Sequence, residues 1–163
     1  MSFVLVRIDD RLIHGQVVVG WARALRPDRI VLCDDEIAAS DWEKDLYLNS
    51  YADVDVALDV FSTSELVRYV QSPDFAKEKV LLVVASPKVV WKLVEKGIPI
   101  KSVNVGGLHF KEKAKKIAPY IFVSEEDVLF LKKLSERGIA LEGRDVPQAK
   151  ALDVMELIRK AGL

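Results

Sequence analysis

The sequence predicts an α/β domain: a mainly parallel central sheet of about seven strands with helices on both faces. Three observations carry this. Short runs rich in Val, Ile and Leu recur along the whole of the 163 residues. They are apolar almost throughout instead of alternating, as strands covered on both faces are. Each is followed by a stretch with helix punctuation, the alternation that lays helices on a parallel sheet.

The strands are expected at Phe3 to Ile8, Arg29 to Cys33, Asp55 to Phe61, Lys79 to Ala85, Lys101 to Val105, Tyr120 to Val123 and Gly138 to Glu142. The first helix is expected over 15–26. Val17, Val18 and Val19 resist it because β-branched residues prefer strands, but Trp21, Ala22, Ala24 and Leu25 extend an apolar surface at helical spacing. Arg23 and Arg26 suit its C-terminus before Pro27 breaks it. A helix over 41–52 follows Ser40 with Glu43, and one over 63–71 follows Ser62 with Glu65, the spacing at which a hydroxyl and a carboxylate satisfy each other's free amides. Ser86 before Pro87 opens a helix over 87–96, which Gly97 closes. The lysine-rich stretch 111–117 reads as a solvated helix face. Ser124 with Asp127 starts a helix over 125–137 that ends at Gly138, and a last helix spans 148–161. No linker, repeat or low-complexity tract divides the chain, so residues 1–163 are expected to form one domain.

Composition narrows the function. The 24 Lys and Arg are matched by 25 Asp and Glu, a net charge of −1, so no basic field exists for nucleic acid or an anionic membrane. Cys33 is the single cysteine, which removes a disulfide framework and points to a reducing compartment. The first residues meet charge too soon for a signal peptide. The longest apolar run, Val80 to Ala85, falls far short of the ~20 residues of a membrane helix. A cytoplasmic protein is expected.

In a doubly wound sheet the site lies beyond the carboxyl ends of the strands. The loop after the first strand is the richest there, with Asp9, Asp10, Arg11, His14, Gly15 and Gln16 in one turn leading into a helix. Free amides at a helix start favour an anion, Arg11 can grip two phosphate oxygens, and a nearby carboxylate can fix an imidazole tautomer. His14 is the natural nucleophile. Composition alone equally allows a solvated turn with His14 as a cap. No Gly-rich loop with Lys and Ser or Thr is present, which argues against nucleotide hydrolysis of that type. His109, with no carboxylate beside it in sequence, reads as structural. Gly106 and Gly107 read as backbone geometry or as a floor to the pocket. Cys33 reads as a small buried hydrophobe, and Trp21, Trp42 and Trp91 as core or interface filler. Asp34, Asp35 and Glu36 suit either a cation or a docking site for a basic partner. Neither a metal nor a cofactor is expected.

Residues 7–17, Arg-Ile-Asp-Asp-Arg-Leu-Ile-His-Gly-Gln-Val, resemble the signature of the IIB component of the mannose/fructose/sorbose family of the bacterial sugar phosphotransferase system (PTS). Further similarity lies in residues 31–38, 104–110, 123–127 and 138–142, spread over nearly the whole chain. The stretch from Leu46 to Asp59 departs from the Ala-Pro-rich segment of that family. The resemblance implies a cytoplasmic phosphoryl carrier. His14 would accept the group at Nδ1 from a IIA protein and pass it to a sugar held by membrane IIC and IID components, with Asp10 orienting His14 and Arg11 stabilising charge. Gly15, Gln16, Gly106 and Gly107 would line the phosphate site. A homodimer is compatible with this scheme. Two alternatives compete: a regulatory phosphoryl acceptor without transport, and a receiver-like aspartyl-phosphate switch built on Asp59 and Lys88.

Overall fold

Each central strand feeds two cores at once. In the computed structural model, which describes residues 2–163, Val80, Leu82 and Val84 pack on one side of the sheet while Leu81 and Val83 pack on the other. The unbroken apolar runs follow from this: successive side chains point to opposite faces, and both faces are covered.

In chain order the strands are β1 (Ser2–Asp9), β2 (Arg29–Cys33), β3 (Ala57–Phe61), β4 (Lys79–Val84), β5 (Ser102–Gly107), β6 (Lys115–Ala118), β7 (Ile121–Val123), β8 (Ala140–Gly143) and β9 (Leu152–Asp153). Seven of them form one sheet in the order β3–β2–β4–β1–β5–β8–β9. All neighbours are parallel except β8 and β9. The helices are a π-helical stretch, Gln16–Trp21, running on into α1 (Ala22–Leu25), then α2 (Asp35–Ala38), α3 (Asp41–Ser50), α4 (Thr63–Val70), α5 (Pro73–Lys77), α6 (Pro87–Glu95), α7 (Glu125–Glu136) and α8 (Val154–Lys160). One core holds the π-helical stretch and α1 to α3 against the sheet; the other holds α4 to α8.

The expected α/β architecture is present, with differences in its parts. Tyr120 to Val123 does not enter the main sheet: β7 pairs antiparallel with β6 in a separate two-stranded sheet. The stretch 111–117 is therefore a turn and a strand, not a helix. Its lysines and glutamate favour a helix on propensity, but Ile117 and Ala118 pack into the core only from the extended form. The helix expected from 148 starts at Val154, where the Asp153 side chain accepts from the Glu156 amide, and Leu152 and Asp153 supply the seventh sheet strand. Ser62 and Ser124 form full capping boxes and Ser86 caps α6, whereas Ser40 makes no cap hydrogen bond at α3. Gly97 and Gly138 take the left-handed conformation, each with φ +84.

At the far edge, Arg29 holds Glu78 with two hydrogen bonds of 2.8 and 2.9 Å and also pairs with Asp59, while the Tyr69 hydroxyl donates to Glu78. The bonds from Arg29, aided by Tyr69 and opposed by partial burial, hold the Glu78 carboxyl at about 2. A carboxyl held below its unfolded value contributes stability that is complete above about pH 4.3 and is lost as the pH falls towards the folded value. Glu78→Gln should thus destabilise the protein at neutral pH, with the difference from wild type shrinking between about pH 4.3 and about pH 2 in urea unfolding followed by circular dichroism. A pH-independent difference would place the effect elsewhere.

Candidate active site

The site lies between β1 and β5, where the chain's winding changes direction: β1 leads towards β2 on one side and β5 towards β8 on the other. Such switch points open a crevice at the carboxyl ends of the strands. Arg7 and Asp9, two apart on β1, point to the same face and are completely buried.

Arg7 is enclosed by acceptors. Its Nη1 donates to Asn104 Oδ1 at 2.6 Å and the Arg144 carbonyl at 3.0 Å. Its Nη2 donates to Asp9 Oδ2 at 3.1 Å, the Asp145 carbonyl at 3.0 Å and Gln16 Oε1 at 3.4 Å. The guanidinium lies 5.3 Å from the ring centre of Trp21, whose indole N–H also donates to the Asp145 carbonyl. Burial lowers the Arg7 pKa, and the adjacent Asp9 charge works against that lowering. The space exists because residue 106 is glycine: a Cβ there would stand 1.9 Å from Arg7 Cζ. Gly107 does the same for Asp9, whose Oδ1 would be 3.0 Å from a Cβ. Both glycines thus make room for buried side chains beneath the site.

Asp9 organises the loop above it. Its Oδ1 accepts from the Arg11 amide at 3.1 Å and from Arg11 Nε at 3.4 Å, and its Oδ2 lies 2.9 Å from His14 Nε2. Burial pushes the Asp9 carboxyl up, but the His14 hydrogen bond, the Arg7 charge and the Arg11 amide together outweigh it, so the group stands below its ordinary value. Leu12 takes a left-handed φ of +62 within this turn, a conformation that costs a branched side chain energy. Buried Leu12 and Ile13 anchor the turn in the apolar layer with Val17, Val18 and Trp21, and the Ile13 carbonyl accepts from Tyr51 Oη at 3.4 Å.

His14 emerges from this footing about one-fifth exposed. An ionised carboxylate can only accept, so Nε2 carries the proton of this hydrogen bond and Nδ1 is turned away from Asp9. Arg11, with 43% of its side chain exposed, is tied through Nη2 to Gln16 Oε1 at 3.0 Å; its Nη1 has no acceptor among the described residues. Gly15 and Gln16 open the π-helical stretch, and their amides likewise have no backbone or side-chain acceptor there. One short loop thus carries an imidazole, a guanidinium and free amides, groups of the kind that hold an anion.

The expectation that Asp10 orients His14 is corrected: Asp9 occupies that place. Asp10 follows the strand end and turns the other way, where it takes the His109 amide at 2.7 Å and lies 2.6 Å from His109 Nδ1. His109 therefore has the carboxylate partner that its sequence neighbours did not suggest. Gly15 has ordinary helical φ, and a Cβ at this position would meet nothing within 4 Å, so no close approach within the chain requires it. Gly15→Ala should raise stability by about 0.5–1 kcal/mol, the helix preference of alanine, in a thermal melt; a loss would reveal a contact that open space at this position excludes. Gly106 lies against the Arg7 side chain and Gly107 against that of Asp9. Trp42 is 70% exposed and fills no core, unlike Trp21. Asp34 caps α2, and Asp35 accepts from the Thr63 amide and Lys92, while burial pushes the Cys33 thiol up to about 12. Asp59, of the receiver-like alternative, is taken up by Arg29, and the exposed Lys88 lies 4.0 Å from Glu126. Arg7 as the buried partner of Asp9 and the carbonyls of Arg144 and Asp145 are the parts missed by sequence reasoning, while Asn104 was marked only by its place at the end of a strand. One signal was available: a charged residue within a strand otherwise apolar on both faces, two positions from a carboxylate.

A mostly parallel sheet with helices on both faces, carrying an imidazole against a buried carboxylate beyond one of its central strands, defines a doubly wound α/β domain. Comparison with known proteins makes the assignment specific. Residues 3–163 match the family model of the PTS system sorbose subfamily IIB component, and the chain belongs to that family. The fructose-specific EIIB component of Bacillus subtilis is 35% identical over 98% of this chain and 97% of its own length. The mannose-specific EIIAB component of Escherichia coli is 40% identical over 98% of this chain, which spans about half (49%) of that longer protein. The crystal structure of the IIBSor domain of the sorbose permease of Klebsiella pneumoniae superimposes with a TM-score of 0.90, 27% identity and 98% coverage of both chains. The family makes this chain a component of a sugar phosphotransferase system. Among the described residues no helix is long and apolar enough to cross a membrane.

Proposed function

We propose that this protein carries a phosphoryl group on His14, taken from the phosphohistidine of a IIA protein and handed to a sugar bound by membrane IIC and IID components. The observation that carries this reading is the 2.9 Å contact between His14 Nε2 and the buried Asp9 carboxylate. In the first step the Nδ1 lone pair attacks phosphorus as the P–N bond to the donor imidazole breaks. Asp9 balances the positive charge that gathers on the His14 ring. In the second step a sugar hydroxyl attacks, its proton is released, and the P–N bond to Nδ1 breaks. Phosphoryl transfer has a loose transition state with charge on three oxygens, so positioning and electrostatics dominate. Arg11 Nη1 and the Gly15 and Gln16 amides supply the positive side. The names of relatives point to fructose, mannose, sorbose or N-acetylgalactosamine as the sugar class.

Incubation with phosphoenolpyruvate, the general phosphotransferase proteins and a IIA donor, followed by peptide mass spectrometry, tests this. One phosphoryl group on His14, labile in acid and stable in base, is expected; a label at another residue, or one lost in both media, would refute it. Arg11→Ala should slow single-turnover phosphorylation by ~100-fold, the usual cost of one charge-stabilising donor; a near-normal rate would make Arg11 structural.

A further inference from the structure

We infer that the outward face of α3 is a docking surface for a Lys/Arg-rich cytoplasmic segment of the membrane acceptor. The inference rests on the carrier reading above. Its starting point is an inverted helix. Along α3 the exposed positions are Asp41, Trp42, Asp45, Leu46, Asn49 and Ser50, a stripe that repeats every four residues. That outward stripe carries an aromatic ring 70% exposed and a leucine 55% exposed, each flanked by an aspartate. The helix buries no residue completely; Tyr47 and Leu48 on its other side pack into the apolar layer. A solvent-facing helix has no folding reason to present Trp42 and Leu46 on one stripe. An interface does: exposed tryptophan is the residue type that anchors protein contacts.

Charge selects the kind of partner. Residues 34–59 hold nine carboxylates and one lysine in a chain whose net charge is −1. Asp35 and Asp59 are paired, but Glu36, Asp41, Glu43, Asp45, Asp53 and Asp55 have no cation within 4 Å among the described residues. Such uncompensated like charge works against the fold locally and steers a basic partner towards it. Of the two proteins the carrier must meet, the membrane acceptor is the one whose cytoplasmic loops carry an excess of Lys and Arg as a rule of membrane topology.

Position links this face to the chemistry. The Tyr51 hydroxyl at the end of α3 bonds the carbonyl of Ile13, the residue before His14, and Tyr47, Leu48 and Tyr51 share a cluster with Leu12 and Ile13. The inner side of α3 and the Tyr51 that ends it thus brace the loop that carries His14, while the Trp42 and Leu46 stripe faces outward from the same helix.

The test separates the two transfers. Wild type, Trp42→Ser/Leu46→Ser and Asp41→Asn/Asp45→Asn are first phosphorylated through a IIA donor. They are then discharged with inside-out membrane vesicles carrying mannose-type IIC and IID components plus mannose, fructose, sorbose and N-acetylgalactosamine. Both double variants should accept phosphate at the wild-type rate within about two-fold. Both should need roughly 10-fold or more phosphoprotein for half-maximal discharge, the scale of losing a central anchor. Discharge of wild type should weaken in 0.5 M salt, and the Asp variant should lose most of that salt dependence. Unchanged discharge in both variants would overturn the inference. Slowed acceptance with normal discharge would also overturn it and give the face to the soluble donor. Failure of the carrier reading looks different: wild type itself then takes no label on His14.

Discussion

Asp9→Asn should slow phosphorylation of His14 by roughly 10³–10⁴-fold and cost about 3–5 kcal/mol of stability. Two separate effects act. The amide keeps the shape of the carboxylate but can offer N–H to His14 Nε2, which moves the ring proton to Nδ1 and removes the attacking lone pair. Neutralising a buried carboxylate that orients a catalytic imidazole carries a loss of about four orders of magnitude in a comparable hydrogen-bonded arrangement. The same substitution leaves the Arg7 guanidinium, fully buried, without its counter-charge, and breaking one half of a buried ion pair accounts for the stability term. Single-turnover labelling and urea unfolding measure the two effects independently. Asp10→Asn is the internal comparison: its carboxylate meets His109 and not His14, so labelling should stay within a few-fold of wild type. Equal losses in both variants would show that Asp9 does not hold the ring.

Gly106→Ala should lower the melting temperature by roughly 10 °C, which corresponds to about 3–5 kcal/mol in a chain of this size. The new methyl would stand 1.9 Å from Arg7 Cζ. Arg7 cannot swing aside as a surface arginine would, because four groups besides Asp9 hold its two terminal nitrogens. Either the guanidinium leaves and strands Asp9, or β5 moves away from β1. Phosphorylation should fall in parallel, since Asp9 is then no longer fixed. Gly107→Ala meets Asp9 Oδ1 at 3.0 Å, a contact relieved by a small shift, and its effect should be smaller. An unchanged melting temperature for Gly106→Ala would mean that Arg7 does not occupy this space.

The strands of the main sheet were readable because burial on both faces leaves a continuous apolar run, and Ser62, Ser86 and Ser124 marked helix starts because their hydroxyls have one local task. The failures have physical causes as well. Lys111 to Lys116 carries helical propensity that the pairing of β6 with β7 overrides. The late start of α8 was encoded in Asp153 and Glu156, three apart, a cap signal that the longer apolar pattern obscured. In the site, His14 and Arg11 stood out by their chemistry. Choosing between Asp9 and Asp10 needed the pleat: Asp9 shares a face with Arg7, and Asp10 does not. Asn104 and the carbonyls after β8 come from 97 and 137 or more residues away along the chain, a distance no local pattern spans.

The central sheet divides the apolar interior into two layers, and the turn bearing His14 is seated on the layer of Leu12, Ile13, Val17 and Trp21. The buried aliphatic residues of α6 and α7 belong to the other layer, so repacking there leaves the apolar footing of the His14 turn untouched, and the two sides of the sheet can be altered separately.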